Sequence, residues 1–436
     1  MKVKSVLIIC GFLAVTATMS AQKKWALRDC IDYARQENIQ VKKMQLSVES
    51  YDVDVEQSKA ELFPSLSGSL SQGYSHSKDA MNDYKYKGVF NGQYGLNASW
   101  TVYNGNRNRN AIKQSELEKE AGKLEVEEQK NNMETSITQV YLQILYARES
   151  IKNNENILES SKQQLKQSQD FLDAGTIAMA EFAQVESQYT TNKYNLVLAQ
   201  NSYDNYKLQL KQLLELDIDE EIDIEYPEIG DNEVIALIPS VNEVYQTALA
   251  IRPEVKSSKL NIDVSEISRS TAKAGYLPSV ALNGSLGTSN AWSSGPSVTT
   301  QFNRNFNQYV GLSVSVPIFD NRKNKSTVQK SQIQIESAQL DLLNTQKELL
   351  RTIEGLYQDA VSAQSKYMAA KDKQKSSELS YQLVKDSYTL GMRNTVELVT
   401  EQNSYANALQ DMLQAKYSAL LNRKLLEFYQ GKEITL

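Results

Sequence analysis

Four short stretches of this chain alternate apolar and polar residues, and two very long ones place an apolar residue at every seventh position. Alternation is sharpest where Tyr94, Leu96, Ala98, Trp100 and Val102 interleave with Gln93, Gly95, Asn97, Ser99 and Thr101. It returns where Val310, Leu312, Val314, Val316 and Ile318 interleave with Gly311, Ser313, Ser315 and Pro317. A period of two predicts strands with one apolar and one polar face. Strands are expected at about 65–76, 88–103, 279–290 and 307–319, the first and third alternating less strictly. The seven-residue period runs through Ile137, Ile144, Ile151, Leu158, Leu165 and Leu172, and through Val328, Ile335, Leu342, Leu349 and Leu356. It predicts helices over roughly 107–172 and 323–388, each about 66 residues and on the order of 100 Å long, packed against neighbours throughout.

Proline and glycine punctuate the rest. No proline lies between Pro64 and Pro227 or after Pro317, and each long span has one interior glycine, Gly122 or Gly355. A glycine turn at Gly175 or Gly391 ends each long helix, and a shorter helix returns over roughly 179–215 or 395–430. Another helix of similar length leads each set, at about 26–61 and 241–275. The two short helices together match the long one and are expected to stack end to end beside it.

The landmarks occur twice. Leu62-Phe63-Pro64-Ser65-Leu66, Tyr94-Gly95-Leu96, Ala174-Gly175-Thr176, Glu181-Phe182 and Tyr189 return as Tyr276-Leu277-Pro278-Ser279-Val280, Val310-Gly311-Leu312, Leu390-Gly391-Met392, Glu397-Leu398 and Tyr405. The offset is 214 residues at the prolines and 216 at the later landmarks. The chain therefore reads as residues 22–215 and 241–436, two copies of one unit, joined by a connector at 216–240. Asp217, Asp219, Glu220, Glu221 and Asp223 make that connector acidic, and it is expected to be irregular and solvated.

Composition narrows the class. Of 436 residues 41% are apolar, and the mean hydropathy is -0.49, which suits narrow apolar seams better than one thick core. A net charge of -6 gives no basic footprint for nucleic acid. Residues 1–21 read as a secretory signal, with Lys2 and Lys4, an apolar run from Val6 to Val15 and small residues before Gln22. A second reading takes Leu7-Ile8-Ile9-Cys10 as a lipoprotein box, with an apolar core of only about five residues ahead of Cys10. After cleavage of the secretory signal Cys30 is the one cysteine left. No later stretch approaches the ~18 apolar residues of a membrane helix, so any membrane passage has to be made by a barrel.

The strands fit that passage. Their neighbouring helices are polar and offer no broad apolar face to cover them, whereas lipid on one side and a small polar lumen on the other require strict alternation. Leu96, Trp100, Val102, Leu312, Val314 and Val316 are then lipid-facing. Trp100, Tyr103 and Phe319 belong at one interface, and Tyr74, Tyr86, Phe90 and Trp292 toward the other. Four strands cannot close a barrel, and lipid tolerates no open strand edge, so several chains have to share one sheet.

In this order and twice over, the chain resembles a TolC-type outer-membrane factor across essentially all of the mature sequence. The resemblance rests on the paired Pro-Ser sites at Pro64 and Pro278 and on the strand endings Tyr103-Asn104-Gly105 and Phe319-Asp320-Asn321. The tip segments Gly175 to Tyr189 and Gly391 to Tyr405 complete it. It implies a mixed α and β membrane protein: a homotrimer whose strands, four per chain, form one twelve-stranded barrel in outer-membrane lipid, continued by a periplasmic tunnel of coiled helices. It also implies an equatorial region, here the connector 216–240, and localisation to the outer membrane of a Gram-negative bacterium. The implied function is the exit duct of a tripartite efflux pump for small molecules such as drugs, or of type I protein secretion. The duct docks a periplasmic adaptor through tips at Gly175 and Gly391 and is driven by an inner-membrane transporter of RND, ABC or MFS type. The same resemblance makes Tyr388 and Arg393 the gate tyrosine and arginine, Glu181 the acid they bind and Glu397 one position of an acidic ring. Where the family carries a further acid, one turn on, this chain has Thr400.

Other classes fit less well. A periplasmic adaptor shares the export and the helical hairpin, but one hairpin is expected there and two are present here. An enzyme lacks candidate residues: His76 is the single histidine, and no nucleophile, phosphate loop or metal-ligand cluster stands out, so neither catalysis nor a cofactor is expected. A fibrous coiled coil leaves the four alternating strands without a purpose.

Overall fold

The computed structural model of the chain describes residues 24–78, 86–292 and 296–436. The expected signal at 1–21, the alternative box at Cys10 and the side chain of Tyr86 lie outside the described residues. The first half runs β1 (Lys24–Trp25), α1 (Leu27–Glu37), α2 (Ile39–Ala60), β2 (Ser65–Lys78), β3 (Tyr86–Tyr103), α3 (Arg107–Asp173) and α4 (Met179–Leu213). The connector holds β4 (Asp223–Ile224) and α5 (Asp231–Val234). The second half runs α6 (Val241–Ile251), α7 (Pro253–Lys273), a 3-10 turn at Ala274–Tyr276, β5 (Ser279–Trp292), α8 (Val298–Arg304), β6 (Asn307–Ser315), α9 (Lys323–Thr389) and α10 (Thr395–Tyr429).

Both leading helices are broken, where the sequence reading had them continuous, and the breaks have causes. At Asn38 the backbone turns extended, and its side chain accepts from the N–H groups of Gln40 (2.9 Å) and Val41 (3.4 Å), capping α2. Its amide also donates to the Leu213 carbonyl at the end of α4, 3.2 Å away. At Arg252 the following Pro253 excludes a helical residue before it and starts α7 as its first residue. Arg252 in turn donates through Nη2 to the Phe428 carbonyl at the end of α10, 3.4 Å away.

α2 and α4 both lie on α3, and α7 and α10 both lie on α9. Toward the sheet the helices stand side by side in the order α2, α3, α7, α9; toward the glycine turns the order is α4, α3, α10, α9. The interior glycines differ in purpose. A Cβ on Gly122 would meet the Tyr51 ring at 2.7 Å, so glycine there lets α2 approach α3, while Gly355 faces open space.

The largest apolar cluster lies where these helices change partners. Ile31, Ile137, Tyr141, Leu142, Ile144, Leu210, Ile222, Ile224, Leu413 and Leu420 are all buried in it. β1 pairs in parallel with β4, and the Tyr141 hydroxyl donates to the Glu225 carbonyl at 2.6 Å, beside this ladder. The connector therefore departs from the irregular, solvated segment expected. Its acidic run from Asp217 to Glu221 is exposed, but Ile222, Ile224, Ile229 and Val234 are core residues. Asp231 accepts from Lys371 and from Tyr367, and these bonds hold its carboxyl below the usual carboxylate range.

At the other end each strand pair turns into its long helix through two successive left-handed residues, Gly105 and Asn106 (φ 70° each), then Asn321 and Arg322 (φ 52° and 67°). The Asn104 and Asp320 side chains accept from the N–H of Asn108 (3.3 Å) and Asn324 (2.7 Å) and cap those helices. Asn108 and Asn324 then donate to the carbonyls of Glu61 (3.1 Å) and Gly275 (2.6 Å), which level the four helix ends beneath the sheet.

Candidate functional site

The four long strands form one antiparallel sheet in the order β2, β3, β5, β6, so β2 and β6 are its unpaired edges. Register sorts the side chains by face. Leu66 pairs with Ala98, Leu70 with Tyr94 and Tyr74 with Phe90. Leu96 pairs with Leu286, Trp100 with Leu282 and Phe90 with Trp292, and β6 adds Leu312 opposite Leu282 and Val314 opposite Val280. These apolar residues share one face, interrupted by the row Gln72, Gly92 and Asn290 and largely left uncovered by the chain, with Leu66 74%, Leu96 50% and Leu312 65% exposed. The other face is mainly Ser, Asn, Gln and Gly, with Tyr309 and a few small or apolar residues among them; Ser99 donates to Asn283 (3.2 Å) and Asn283 to Ser313 (3.2 Å) across three strands. Among the described side chains of that face none is charged.

Two of the expected lipid-facing positions depart from simple alternation. The pairing shifts between Thr101 and Tyr103, so Val102 is the extra residue of a bulge and Tyr103 takes its place opposite Val280. β6 ends at Ser315, because Pro317 lacks the N–H a ladder needs, and Val316, expected inside the strand, falls just beyond it. The aromatic rows lie at the two ends of the sheet. Tyr74, Phe90 and Trp292 line up at the far end; Trp100, whose Nε1 donates to the Leu62 carbonyl at 2.8 Å, stands near the helices. Phe319 lies past β6 and is 85% exposed.

Where β6 stops pairing, α8 takes over the edge of β5. Gln301 Oε1 accepts from the Ala291 N–H at 2.7 Å, Asn305 donates to the Ser289 carbonyl at 2.7 Å, and Phe302 packs against Tyr94 at 5.0 Å between ring centroids.

At the opposite end of the molecule each long helix closes in a glycine turn. Gly175 and Gly391 have φ of 72° and 71°; their N–H groups bond Leu172 and Tyr388, and the next N–H reaches back to Phe171 or Ser387. A side chain at either glycine would meet open space but would be held in the left-handed region.

Beside these turns the four expected gate residues are neighbours without all being partners. Arg393, in the turn ahead of α10, pairs through Nη1 with Glu397 Oε2 in the first turn of that helix at 2.9 Å. Glu181 accepts instead from the Thr395 hydroxyl at 3.2 Å, joining α4 to α10. Tyr388 is buried against Phe171 and Leu398, and its hydroxyl has no hydrogen-bond partner in the chain. Thr400 turns inward on its own helix and donates to the Val396 carbonyl at 2.7 Å.

Above the tip lies a group that sequence reading did not find: a buried, uncharged polar network. Gln402 donates to Ser161 at 3.0 Å, Asn192 donates to the same hydroxyl, Gln188 and Asn403 exchange bonds of 2.8 and 3.1 Å, and Gln164 donates to Tyr381 at 2.6 Å. The available signal was the scarcity of apolar residues between Leu158 and Leu172, where Ser161, Gln164 and Ser168 sit on the buried side of α3.

Comparison with known proteins matches this arrangement. The family described as outer membrane efflux protein matches residues 30–215 and 244–432, most of both halves. The chain is 24% identical to outer membrane protein TolC of Escherichia coli over 365 residues, 76% of this chain and 72% of that one. It is 21% identical to the alkaline protease secretion protein AprF of Pseudomonas aeruginosa over 297 residues, 68% of this chain and 60% of that one. Among solved structures it superposes on the channel-forming CusC with a TM-score of 0.78 at 16% identity, covering 95% of this chain and 96% of that one. The chain belongs to the outer membrane efflux protein family and is an outer-membrane protein of the efflux and secretion channel type.

Proposed function

We propose that this protein is the exit duct of a tripartite efflux pump that carries small molecules such as drugs out of the cell. One observation supports the reading above others: a sheet with a largely uncovered apolar face, an opposite face whose described side chains carry no charge, and two unpaired edges. In lipid both edges need partners, and identical chains supply them when β2 of one meets β6 of the next. Three such sheets of four strands give a twelve-stranded barrel, and the helices continue it as a periplasmic tunnel. The glycine turns are the adaptor contact, and an inner-membrane transporter of RND, ABC or MFS type provides the drive. Glu181, Tyr388, Arg393 and Glu397 form the gate: the Tyr388 hydroxyl has no partner within its chain, and Arg393 is half exposed. Neither an enzymatic step nor a cofactor belongs to this function, and no nucleic acid is involved.

The test is accumulation of a fluorescent drug in cells lacking the protein. Accumulation rises and falls again with the wild-type chain, but stays high with Gly175→Leu plus Gly391→Leu although assembled protein remains in the outer membrane. Unchanged accumulation on deletion, for every drug tried, overturns the efflux reading. Similarity to AprF favours a second reading, a duct for type I protein secretion; loss of a secreted protein from the medium, with drug accumulation unaltered, decides for it.

A further inference from the structure

The polar row that interrupts the apolar face of the sheet is built as a site. Gln72, Gly92 and Asn290 cross that face near its far end, between Leu70, Tyr94 and Thr288 on the helical side and Tyr74, Phe90 and Trp292 beyond. Glycine in the middle of the row makes the room: a Cβ there would stand 2.8 Å from the Tyr94 hydroxyl and closer still to Asn290 Oδ1. Both polar tips therefore lie down over the strand, and Gln72 Nε2 donates to the Tyr94 hydroxyl at 2.8 Å. Above this floor opens a cavity of about 630 Å³, walled by Phe90, Trp292 and Val298 of α8. That volume falls within the span of small-ligand sites, about 300–1,000 Å³. Asn290 Oδ1 is buried, and no donor among the described residues reaches it. A buried acceptor left in this way calls for a donor from outside the chain.

Position and chemistry together narrow the occupant. Phe90 and Trp100, in the two aromatic rows, are ten residues apart on β3. At about 3.4 Å per residue and a tilt of 35–45° they differ in height by about 25 Å, the thickness of an outer-membrane apolar band. The two rows thus stand at the two interfaces, and the polar row lies about 5 Å inside the one remote from the helices, where headgroups of the outer leaflet meet their acyl chains. None of the residues lining the cavity is charged, so a phosphodiester headgroup finds no cation there. A sugar ring does find what it needs. Its hydroxyls donate to the Asn290 and Gln72 carbonyl oxygens and accept from the Asn290 amide. Its C–H faces lie against Phe90 and Trp292, 60% and 70% exposed, whose ring faces carry the negative end of the aromatic quadrupole. The acyl chains of the same molecule continue over Leu70, Tyr94 and Leu286.

We infer that the cavity over Gln72, Gly92 and Asn290 binds the sugar headgroup of an outer-leaflet glycolipid, one site on the outside of the sheet in each chain. The inference rests on the shared-barrel reading, which puts this face in lipid, and adds to it a specific lipid ligand.

Native mass spectrometry of the full-length protein tests it, in a polyoxyethylene detergent whose headgroup carries no sugar. Titrated with deep-rough lipopolysaccharide, the wild-type protein is expected to hold up to one copy per chain. Gln72→Leu with Asn290→Leu makes the face more apolar, yet is expected to bind about tenfold more weakly, because the hydrogen bonds to the sugar are gone. Leu282→Ala, at the helical end of the same face, binds as wild type does. Equal binding by the wild type and the double variant overturns the site, and tighter binding by the double variant shows that acyl chains alone occupy the cavity and overturns the sugar assignment. Phosphatidylethanolamine in place of the glycolipid is expected not to separate the two proteins; a tenfold difference with it assigns the cavity to phospholipid and overturns the inference. Should the double variant fail to fold, as read from heat-modifiable gel mobility, Trp292→Leu takes its place, with the same loss expected and unchanged binding overturning the site. The same spectra keep the two readings apart. A trimer that binds no glycolipid overturns the site and leaves the channel standing, whereas a monomer mass overturns the shared barrel and the site with it.

Discussion

Asn38 and Arg252, 214 residues apart, do the same thing in the two halves of the chain: each sits at the break of a leading helix and donates to a carbonyl at the end of the returning helix. The chemistry is not the same. Asn38 is fully engaged, capping α2 while it holds α4. Arg252 is buried with its guanidinium 4.2 Å above the Phe428 ring and 4.0 Å above that of Tyr429, and its Nε has no partner.

The two positions therefore respond differently to truncation. Asn38→Ala removes a cap and a buried bond and costs about 0.5–2 kcal/mol. Arg252→Met keeps the aromatic contact and removes the unpartnered Nε, so it costs less than Asn38→Ala. Chemical denaturation of the protein in detergent measures both. A larger loss for Arg252→Met shows that its cation, rather than its bulk, holds α10.

Glu134 supplies a pH dependence. Its carboxylate is buried, and burial raises its pKa in spite of Arg35, whose Nη1 is 3.4 Å away. An acid whose folded pKa is raised binds its proton more tightly when folded, so its contribution favours folding at low pH and is lost as pH rises through the raised value. Glu134→Gln is expected to raise the melting temperature at pH 8, and the gain shrinks as pH falls toward the carboxylate range. Arg35 keeps Glu127 in that variant. A variant less stable than wild type at pH 8 shows that the ion pair outweighs burial.

The sheet faces make a positional prediction. Leu96 stands in mid-sheet opposite Leu286. Leu96→Arg is expected to impair barrel assembly by about 2–4 kcal/mol, while Val314→Arg, one row from the helical end, costs about 0–1 kcal/mol. Asn97→Arg and Ser313→Arg, on the polar face, are better tolerated. Folding into lipid vesicles, followed by heat-modifiable gel mobility, compares them; equal damage on both faces argues for a soluble sheet.

At the tip, Arg393 neutralises Glu397 across an exposed pair worth at most about 0.5 kcal/mol. Arg393→Ser therefore leaves the fold intact but uncovers a carboxylate in each copy. Single-channel recordings are expected to show stronger cation preference for Arg393→Ser and weaker preference for Glu397→Ala. Conductance rises in Arg393→Ser combined with Tyr388→Phe. Unchanged conductance in that double variant, with trimers intact, means that closure depends on other contacts.

What could be read in the sequence follows from what repeats there. The heptad from Ile137 to Leu172 lies within α3, and the alternation around Leu96 lies in β3, because a helix or strand that buries one face along many residues must write its period many times. Single-residue events leave no period. The break at Asn38, the bulge at Val102 and the parallel β1–β4 pair each rest on one or two residues whose partners are distant in the chain. Pro253 was visible, and its effect on Arg252 was not drawn from it. The tip is the opposite case: Glu181, Arg393 and Glu397 are easily found, but a partner on another copy cannot be read from one chain's spacing.

The lack of charge among the described side chains on the polar face of the sheet has a kinetic consequence for the proposed duct. Hydroxyls and amides bonded to one another, as those of Ser99, Asn283 and Ser313 are, offer a passing solute no fixed charge to pair with. As a lumen wall such a surface has no deep binding well, so dwell time inside the barrel is short for anions, cations and neutral molecules alike. Discrimination among cargoes then has to be completed before they reach it.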